Sequence, residues 1–202
     1  MIAHFYESIT GWFDWPSLYR EAVSAALIGA HFVEVGAWLG KSTAFLAVEI
    51  ANSGNPIQLD VVDTWDGTPG DVLMQHWMNK HPEGPYGHFL ESMRRGGVQV
   101  QFLDEVIEWG GVHPLRMSSI RAAELYADQS LDFVFIDAAH DYASVKADVL
   151  AWLPKVKAGG TLAGHDYSNE PGVQRAVDEL LPHATIHLPE VEDGWASWSC
   201  LR

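Results

Sequence analysis

The residues best placed to do chemistry sit where apolar runs end. Phe32-Val33-Glu34-Val35-Gly36-Ala37-Trp38-Leu39-Gly40-Lys41-Ser42-Thr43 passes from an apolar run through a carboxylate and two glycines into a helix-forming segment that starts near Ser42. Such a strand–glycine loop–helix junction is where α/β proteins bind nucleotide-like cofactors. Asp63 ends a second apolar run, where a carboxylate can accept hydrogen bonds from both hydroxyls of a ribose. Ser118 and Ser119 follow a third run, Asp137 and then His140 a fourth, and His165 and Asp166 a fifth. In open α/β sheets ligands lie beyond the carboxyl ends of the strands, so these groups converge on one site.

Two cofactor classes compete for the glycine loop. Gly40-Lys41-Ser42-Thr43, with Asp137 as a metal-binding aspartate after an apolar strand, suggests a P-loop nucleotide hydrolase. A P-loop, however, needs four residues between its first glycine and the Gly-Lys pair. Here there are only Ala37, Trp38 and Leu39. Glu34 would also set a negative charge beside a phosphate cradle. An adenosyl cofactor with a cationic sulfonium and amine suits that carboxylate better. Asp137 and Asp166, on adjacent strand ends with no Arg or Lys close in sequence, point to a shared cation. Oxygen donors favour Mg²⁺, whereas imidazole from His165 or His140 tilts the site toward Mn, Fe or Zn. His4, His76, His81, His88, His113, His183 and His187 read as partners of local carboxylates.

The elements that must position these groups alternate. Pro16–Ile28 reads as a helix with proline in its first turn. Strands are expected at Phe32–Val35, Gln58–Val62, His113–Met117, Leu131–Ile136 and Thr161–Gly164. Helices are expected at Lys41–Ala51, Ser119–Ala127, Ala143–Leu153 and Val173–Leu181. Thr185–Leu188 and Ala196–Leu201 supply two last strands. The alternation predicts an α/β fold with a doubly wound, mostly parallel sheet, helices on both faces and a C-terminal antiparallel strand. Residues 1–28 form an aromatic-rich arm (1–15) and a helix. Residues 66–111, with Trp77, Tyr86 and Phe89 among glycines and prolines, break the repeat and read as an inserted segment that covers the site.

The 202 residues suit one domain spanning 1–202. A formal charge of -15, from 12 Lys+Arg against 27 Asp+Glu, disfavours nucleic-acid backbones and anionic membranes. The partner is then a small-molecule acceptor, neutral or cationic. The aromatic arm leaves a homo-oligomer open. The single cysteine, Cys200, excludes an internal disulfide and a cysteine-rich zinc site. No apolar run is long enough to span a membrane, and the N-terminus lacks the charged start of a signal peptide, so a cytoplasmic location is expected.

Glu34-Val-Gly36, Asp63, Phe135-Ile136-Asp137-Ala-Ala-His140-Asp-Tyr142 and Ala158-Gly-Gly160-Thr-Leu-Ala-Gly164-His165-Asp166-Tyr167 resemble class I S-adenosylmethionine-dependent methyltransferases of Rossmann-like fold. Within that class they are most similar to the small metal-dependent O-methyltransferases of the macrocin and mycinamicin type. The resemblance covers about 30–65 and 112–180. It implies that Glu34 and the Gly36–Gly40 loop, with Trp38 and Ser42, lie against the amino-acid and ribose parts of S-adenosylmethionine. It further implies that Asp63 holds the ribose and that Ser119 sits near the adenine. Asp137 and Asp166 would ligate a divalent metal, Mg or Mn, and His140 would be the general base. His165 stands where relatives have a second carboxylate and is counted with the metal ligands. The expected activity is O-methylation of a hydroxyl on a sugar or natural product. The alternatives are a nucleotide hydrolase, a non-catalytic adenosyl-binding module, and a hydroxylase on the same scaffold.

Overall fold

The computed structural model describes residues 1–67, 72–100 and 111–202. Its centre is a seven-stranded sheet of order β3-β2-β1-β4-β5-β7-β6. The strands are β1 (His31–Val35), β2 (Gln58–Asp63), β3 (Val112–Arg116), β4 (Leu131–Ile136), β5 (Val156–Gly164), β6 (Thr185–His187) and β7 (Ser197–Leu201). β7 runs antiparallel to both β5 and β6, and the other pairings are parallel. The helices are α1 (Pro16–Ala25), α2 (Lys41–Ser53), α3 (Val72–Lys80), α4 (Gly84–Arg95), α5 (Ser119–Ala123), α6 (Tyr142–Trp152) and α7 (Pro171–Leu180).

Both sheet faces are apolar because successive side chains of a strand point to opposite sides. In β4, Phe133 and Phe135 join Tyr19, Phe32, Phe45 and Phe89 on one face. Val134 and Ile136 join Val33, Val35, Trp152 and Val177 on the other. From β1 the chain winds outward to β2 and β3, then returns beside β1 as β4 and winds the other way. The strand order therefore reverses between β1 and β4, which opens a crevice at their carboxyl ends.

Several elements differ in extent from the sequence reading. α1 stops at Ala25, and Leu27 and Ile28 are exposed. α5 stops at Ala123, and just beyond it the Tyr126 hydroxyl donates to the buried carboxylate of Asp60 at 2.7 Å, a tertiary bond that sequence periodicity cannot reveal. β5 begins at Val156, earlier than expected, because Leu131 pairs with Val156 across an irregularity in the ladder. Gly160 permits that approach, since a Cβ there would lie 2.8 Å from the Asp132 carbonyl oxygen.

The N-terminal arm packs on the body. Phe13 contacts Phe45 with ring centroids 4.7 Å apart, and Trp15 stacks on Phe135 at 5.0 Å. Within the 66–111 segment, Phe89 and Met93 of α4 are buried. They pack beneath Gly40, whose added Cβ would meet Phe89 at 2.7 Å and Met93 at 2.8 Å. Residues 68–71 and 101–110 of that segment lie outside the described residues.

Candidate active site

The β1–α2 loop is a tight, glycine-dependent turn. Gly36 has φ +89°, and a Cβ there would fall 1.9 Å from the Asp137 carbonyl oxygen. No other residue lets the two strand ends approach so closely. Asp63, ending β2, fixes the loop from the side. One of its oxygens accepts the N–H groups of Ala37 at 2.9 Å and Trp38 at 2.8 Å, and the other accepts that of Trp65 at 2.7 Å.

A cavity of about 830 Å³ opens above this crevice. Gly36, Trp38, Ser42, Asp63, Ser119, Asp137 and His140 all line it. The volume lies in the range of small-molecule and cofactor sites. Aromatic groups wall it: Trp12 of the arm stacks on Trp38 at 5.3 Å, and Trp77 of α3 meets Trp38 edge-on at 6.4 Å. Lys41, Lys80 and His81 add basic groups. The composition of the arm signalled an aromatic cover, and Lys41 stood out only as part of the P-loop-like Gly40-Lys41-Ser42-Thr43 run, whereas nothing in the sequence singled out Lys80.

At the far end Asp137, His140 and Asp166 bring one donor atom each within 4.8 Å of one another. His140 Nε2 lies 2.9 Å from Asp166 Oδ2. Behind them His165 is gripped on both ring nitrogens, Nδ1 by Asp166 at 2.9 Å and Nε2 by Asp14 at 2.8 Å. Asp14 also accepts the Trp195 backbone N–H at 2.7 Å. The result is an alternating row of carboxylate, imidazole, carboxylate and imidazole running from the arm to the cavity.

These contacts set the charges. Burial first, and then the charge of Asp166, push the Asp137 carboxyl up to about 8. Burial would also raise Asp166, but hydrogen bonds from His140 and His165 outweigh it and hold the group well below the usual carboxylate range. Burial opposes protonation of His165, yet Asp14 and Asp166 outweigh it and raise the imidazole to about 10. His140 is raised from its ordinary value chiefly by its hydrogen bond to Asp166.

The structure separates the sequence candidates into three groups. Trp38, Ser42, Asp63, Ser119, Asp137 and His140 meet at the cavity together with Gly36. Asp166 sits behind it, paired with His140. Glu34, Gly40 and His165 do not line it. Glu34 shares the face of Phe32 beneath α1 and α2, fully buried, accepting hydrogen bonds from Tyr19 at 2.9 Å and from Thr43. Burial raises its pKa. It therefore stands under the loop instead of beyond the strand end. Gly40 makes room for α4. His165, with both nitrogens engaged by carboxylates, offers no lone pair to a metal, and His140 takes its place in the donor group. Ser119 reaches the cavity, but its hydroxyl donates to Asp148 and accepts from Trp152 Nε1 at 2.9 Å. Asp14 and Tyr19 carried no signal in the sequence, because their partners are far along the chain.

The residues present suit a divalent cation. Two carboxylates and one imidazole converge, a donor set shared by Mg²⁺, Mn²⁺ and related ions. The loop does not suit a phosphate, because the Ala37 and Trp38 N–H groups that would cradle one already donate to Asp63.

No curated protein matches the chain by sequence. Solved structures share its fold. CalS11, a TDP-rhamnose 3'-O-methyltransferase of calicheamicin biosynthesis, is 19% identical over 90% of this chain and 74% of its own, with a TM-score of 0.55. The O-methyltransferase NovP is 18% identical over 93% and 79%, with a TM-score of 0.58. An O-methyltransferase from Bacillus cereus, solved in complex with SAH, is 16% identical over 93% and 78%, with a TM-score of 0.55. A family model described as a methyltransferase domain matches residues 33–167, two thirds of the chain and all five strand ends of the site. The chain belongs to this methyltransferase family, built on the class I fold of S-adenosylmethionine-dependent enzymes.

Proposed function

We propose that the protein is an O-methyltransferase that moves the methyl group of S-adenosylmethionine to a hydroxyl of a small metabolite. The observation that carries this reading is the meeting, in one cavity, of the β1 glycine turn, Asp63 and the Asp137–His140–Asp166 group. The Gly36 turn and Asp63 hold the adenosyl and ribose part; a carboxylate offers about four acceptor sites, so ribose hydroxyls can share Asp63 with its backbone donors. Trp38, Ser42 and Ser119 complete that half. Glu34 acts indirectly, bracing the loop through Thr43.

Methyl transfer is an in-line displacement. The acceptor oxygen forms a bond to the methyl carbon as the carbon–sulfur bond breaks, its electron pair passing to sulfur, and the hydroxyl proton must leave. His140 lines the cavity and takes that proton. Asp166 holds its Nε2, which orients the ring and strengthens it as a base. Asp137 and Asp166 would hold a divalent cation, with the His140 ring left unligated to act as the base, and the cation would lower the pKa of the acceptor hydroxyl. The described part of the 66–111 segment, with Trp77 and His81 on the cavity wall, shapes the acceptor side of a single domain. The stacked Trp12–Trp38 pair suits the flat or apolar face of a sugar or aromatic ring. CalS11, whose acceptor is a sugar nucleotide, shows the fold serving such chemistry. The net charge of -15 argues against a nucleic-acid acceptor, and no described helix is long and apolar enough to cross a membrane. We place the enzyme in the cytoplasm.

His140→Ala is expected to lower turnover by roughly 10²-fold or more with adenosyl-ligand affinity retained. In the wild-type protein, turnover should rise with pH through a group above the ordinary histidine value, because a base works when unprotonated and His140 is raised. Unchanged turnover in His140→Ala, or loss of the alkaline rise without loss of rate, removes His140 from this role.

A further inference from the structure

A second convergence of ligand-type side chains, sharing no residue with the Asp137 group, lies where α3 meets α4. His81 follows α3, Glu83 precedes α4, and His88 stands one turn into α4. His81 Nδ1 is 3.1 Å from Glu83 Oε1, and His88 Nδ1 is 3.8 Å from the same oxygen. All three donor atoms lie within 4.8 Å of one another. Ions at about 2.0–2.2 Å from nitrogen and oxygen ligands set neighbouring donors at about 3–3.5 Å, so side-chain rotation alone closes the group on a metal.

We propose that His81, Glu83 and His88 form a transition-metal site, of Zn²⁺ type, that clamps α3 to α4. Two imidazoles with one carboxylate suit Zn²⁺ and its neighbours, whereas Mg²⁺ and Ca²⁺ prefer oxygen alone. Three protein ligands leave a position for water. The donors are reachable, with side-chain exposures of 36%, 43% and 29% for His81, Glu83 and His88. They are also held in place. Trp77 lies flat on the His81 ring at 4.2 Å and meets His88 edge-on at 5.3 Å.

The placement gives the site a consequence. His81, Trp77 and Lys80 line the cavity on the wall made by α3. An ion joining His81 to the start of α4 fixes that wall against Pro85, which lines the cavity from α4. The clamp therefore sets the shape of the acceptor side; this last step rests on the methyltransferase reading, whereas metal binding itself does not.

The test uses the ion alone. Chelator-stripped full-length protein is titrated with Co²⁺, followed by visible absorption and calorimetry, and then with Zn²⁺ in competition. Three variants accompany it: His81→Ala with His88→Ala, Glu83→Gln, and Asp137→Asn. Wild type is expected to bind an ion with the intense visible bands of a low-coordinate, nitrogen-ligated Co²⁺. The double histidine variant should lose those bands, and Glu83→Gln should weaken Zn²⁺ by at least about 100-fold, the upper end of what loss of an outer partner costs. Asp137→Asn should keep both. Glu83 is half-exposed, so its variant reports binding even where the double variant melts early. Wild type without such bands, bands that survive in both the double histidine and the Glu83→Gln variants, or bands lost in Asp137→Asn would each overturn the proposal. These outcomes leave the methyltransferase reading untouched, because no methyl donor or acceptor is present.

Discussion

Two buried aspartates in this molecule are each held by a pair of histidines and have opposite uses. Asp60, in the middle of β2, accepts from His31 at 2.6 Å, His113 at 3.1 Å and Tyr126 at 2.7 Å. Asp166, just past the end of β5, is paired with His140 and His165, each at 2.9 Å. Burial would raise both carboxyls, and in both the histidine hydrogen bonds outweigh it and hold the group well below its usual range. The difference is position along the strand. The Asp60 cluster is closed by β1, β3 and the segment after α5, and none of its members lines the cavity. The Asp166 cluster stands at a carboxyl end, beside a second carboxylate, and one of its histidines opens to the cavity. Residue type alone makes a charge-satisfied knot; a strand end with an open side makes it a site.

Substitutions can break that comparison. The largest effect on rate is expected at His140, as above, with little change in melting temperature because the ring is partly exposed. Asp60→Ala should do the reverse. Removing an acceptor shared by two histidines and a tyrosine is expected to cost about 3 kcal/mol, the scale of breaking a buried pair, as read by denaturant unfolding. Turnover measured well below the new midpoint should hold. A rate loss in Asp60→Ala equal to that of His140→Ala would erase the distinction between the two clusters.

A smaller effect separates the outer half of the Asp166 row. Asp14→Asn removes one carboxylate from His165 and leaves the other. Turnover should fall by about tenfold, as when an outer partner of a ligand or base is lost. Stability gives a second readout. Asp60 and Asp166 lie below the ordinary value of about 4, so their contribution is present above that pH and lost as the pH falls through their folded values. His165 is raised to about 10, so its contribution is full below about pH 6.5 and lost as the pH rises toward 10. Asp137, raised to about 8, also loses stability as the pH rises above about 4. The metal-free wild type should therefore melt at lower temperature at pH 9 than at pH 6, and Asp14→Asn should flatten that decline. An unchanged alkaline decline would show that Asp14 does not hold the His165 proton.

The same contrast explains what could be read from the sequence. The strands and their polar ends were legible because periodicity and the position of Asp63, Asp137, His140 and Asp166 are local facts. His113 was also readable as a carboxylate partner, since a histidine within a buried strand needs one. Glu34 was misplaced because one-residue alternation decides whether a strand-end carboxylate faces the cavity or lies under a helix, and the deciding partner, Tyr19, sits in another element. His165 was counted with the metal ligands because its second carboxylate, Asp14, is 151 residues away. Long-range pairing of this kind leaves no periodic trace.

The central claim is that the crevice between β1 and β4 takes an adenosyl ligand. Calorimetric titration of metal-stripped protein with S-adenosylhomocysteine and, separately, with ATP, each with and without Mg²⁺, tests it directly. Micromolar binding of the adenosyl ligand and none of ATP is the expected result. Mg²⁺-dependent binding of ATP, with none of the adenosyl ligand, would contradict it and would mean that the Ala37 and Trp38 N–H groups leave Asp63 for a phosphate.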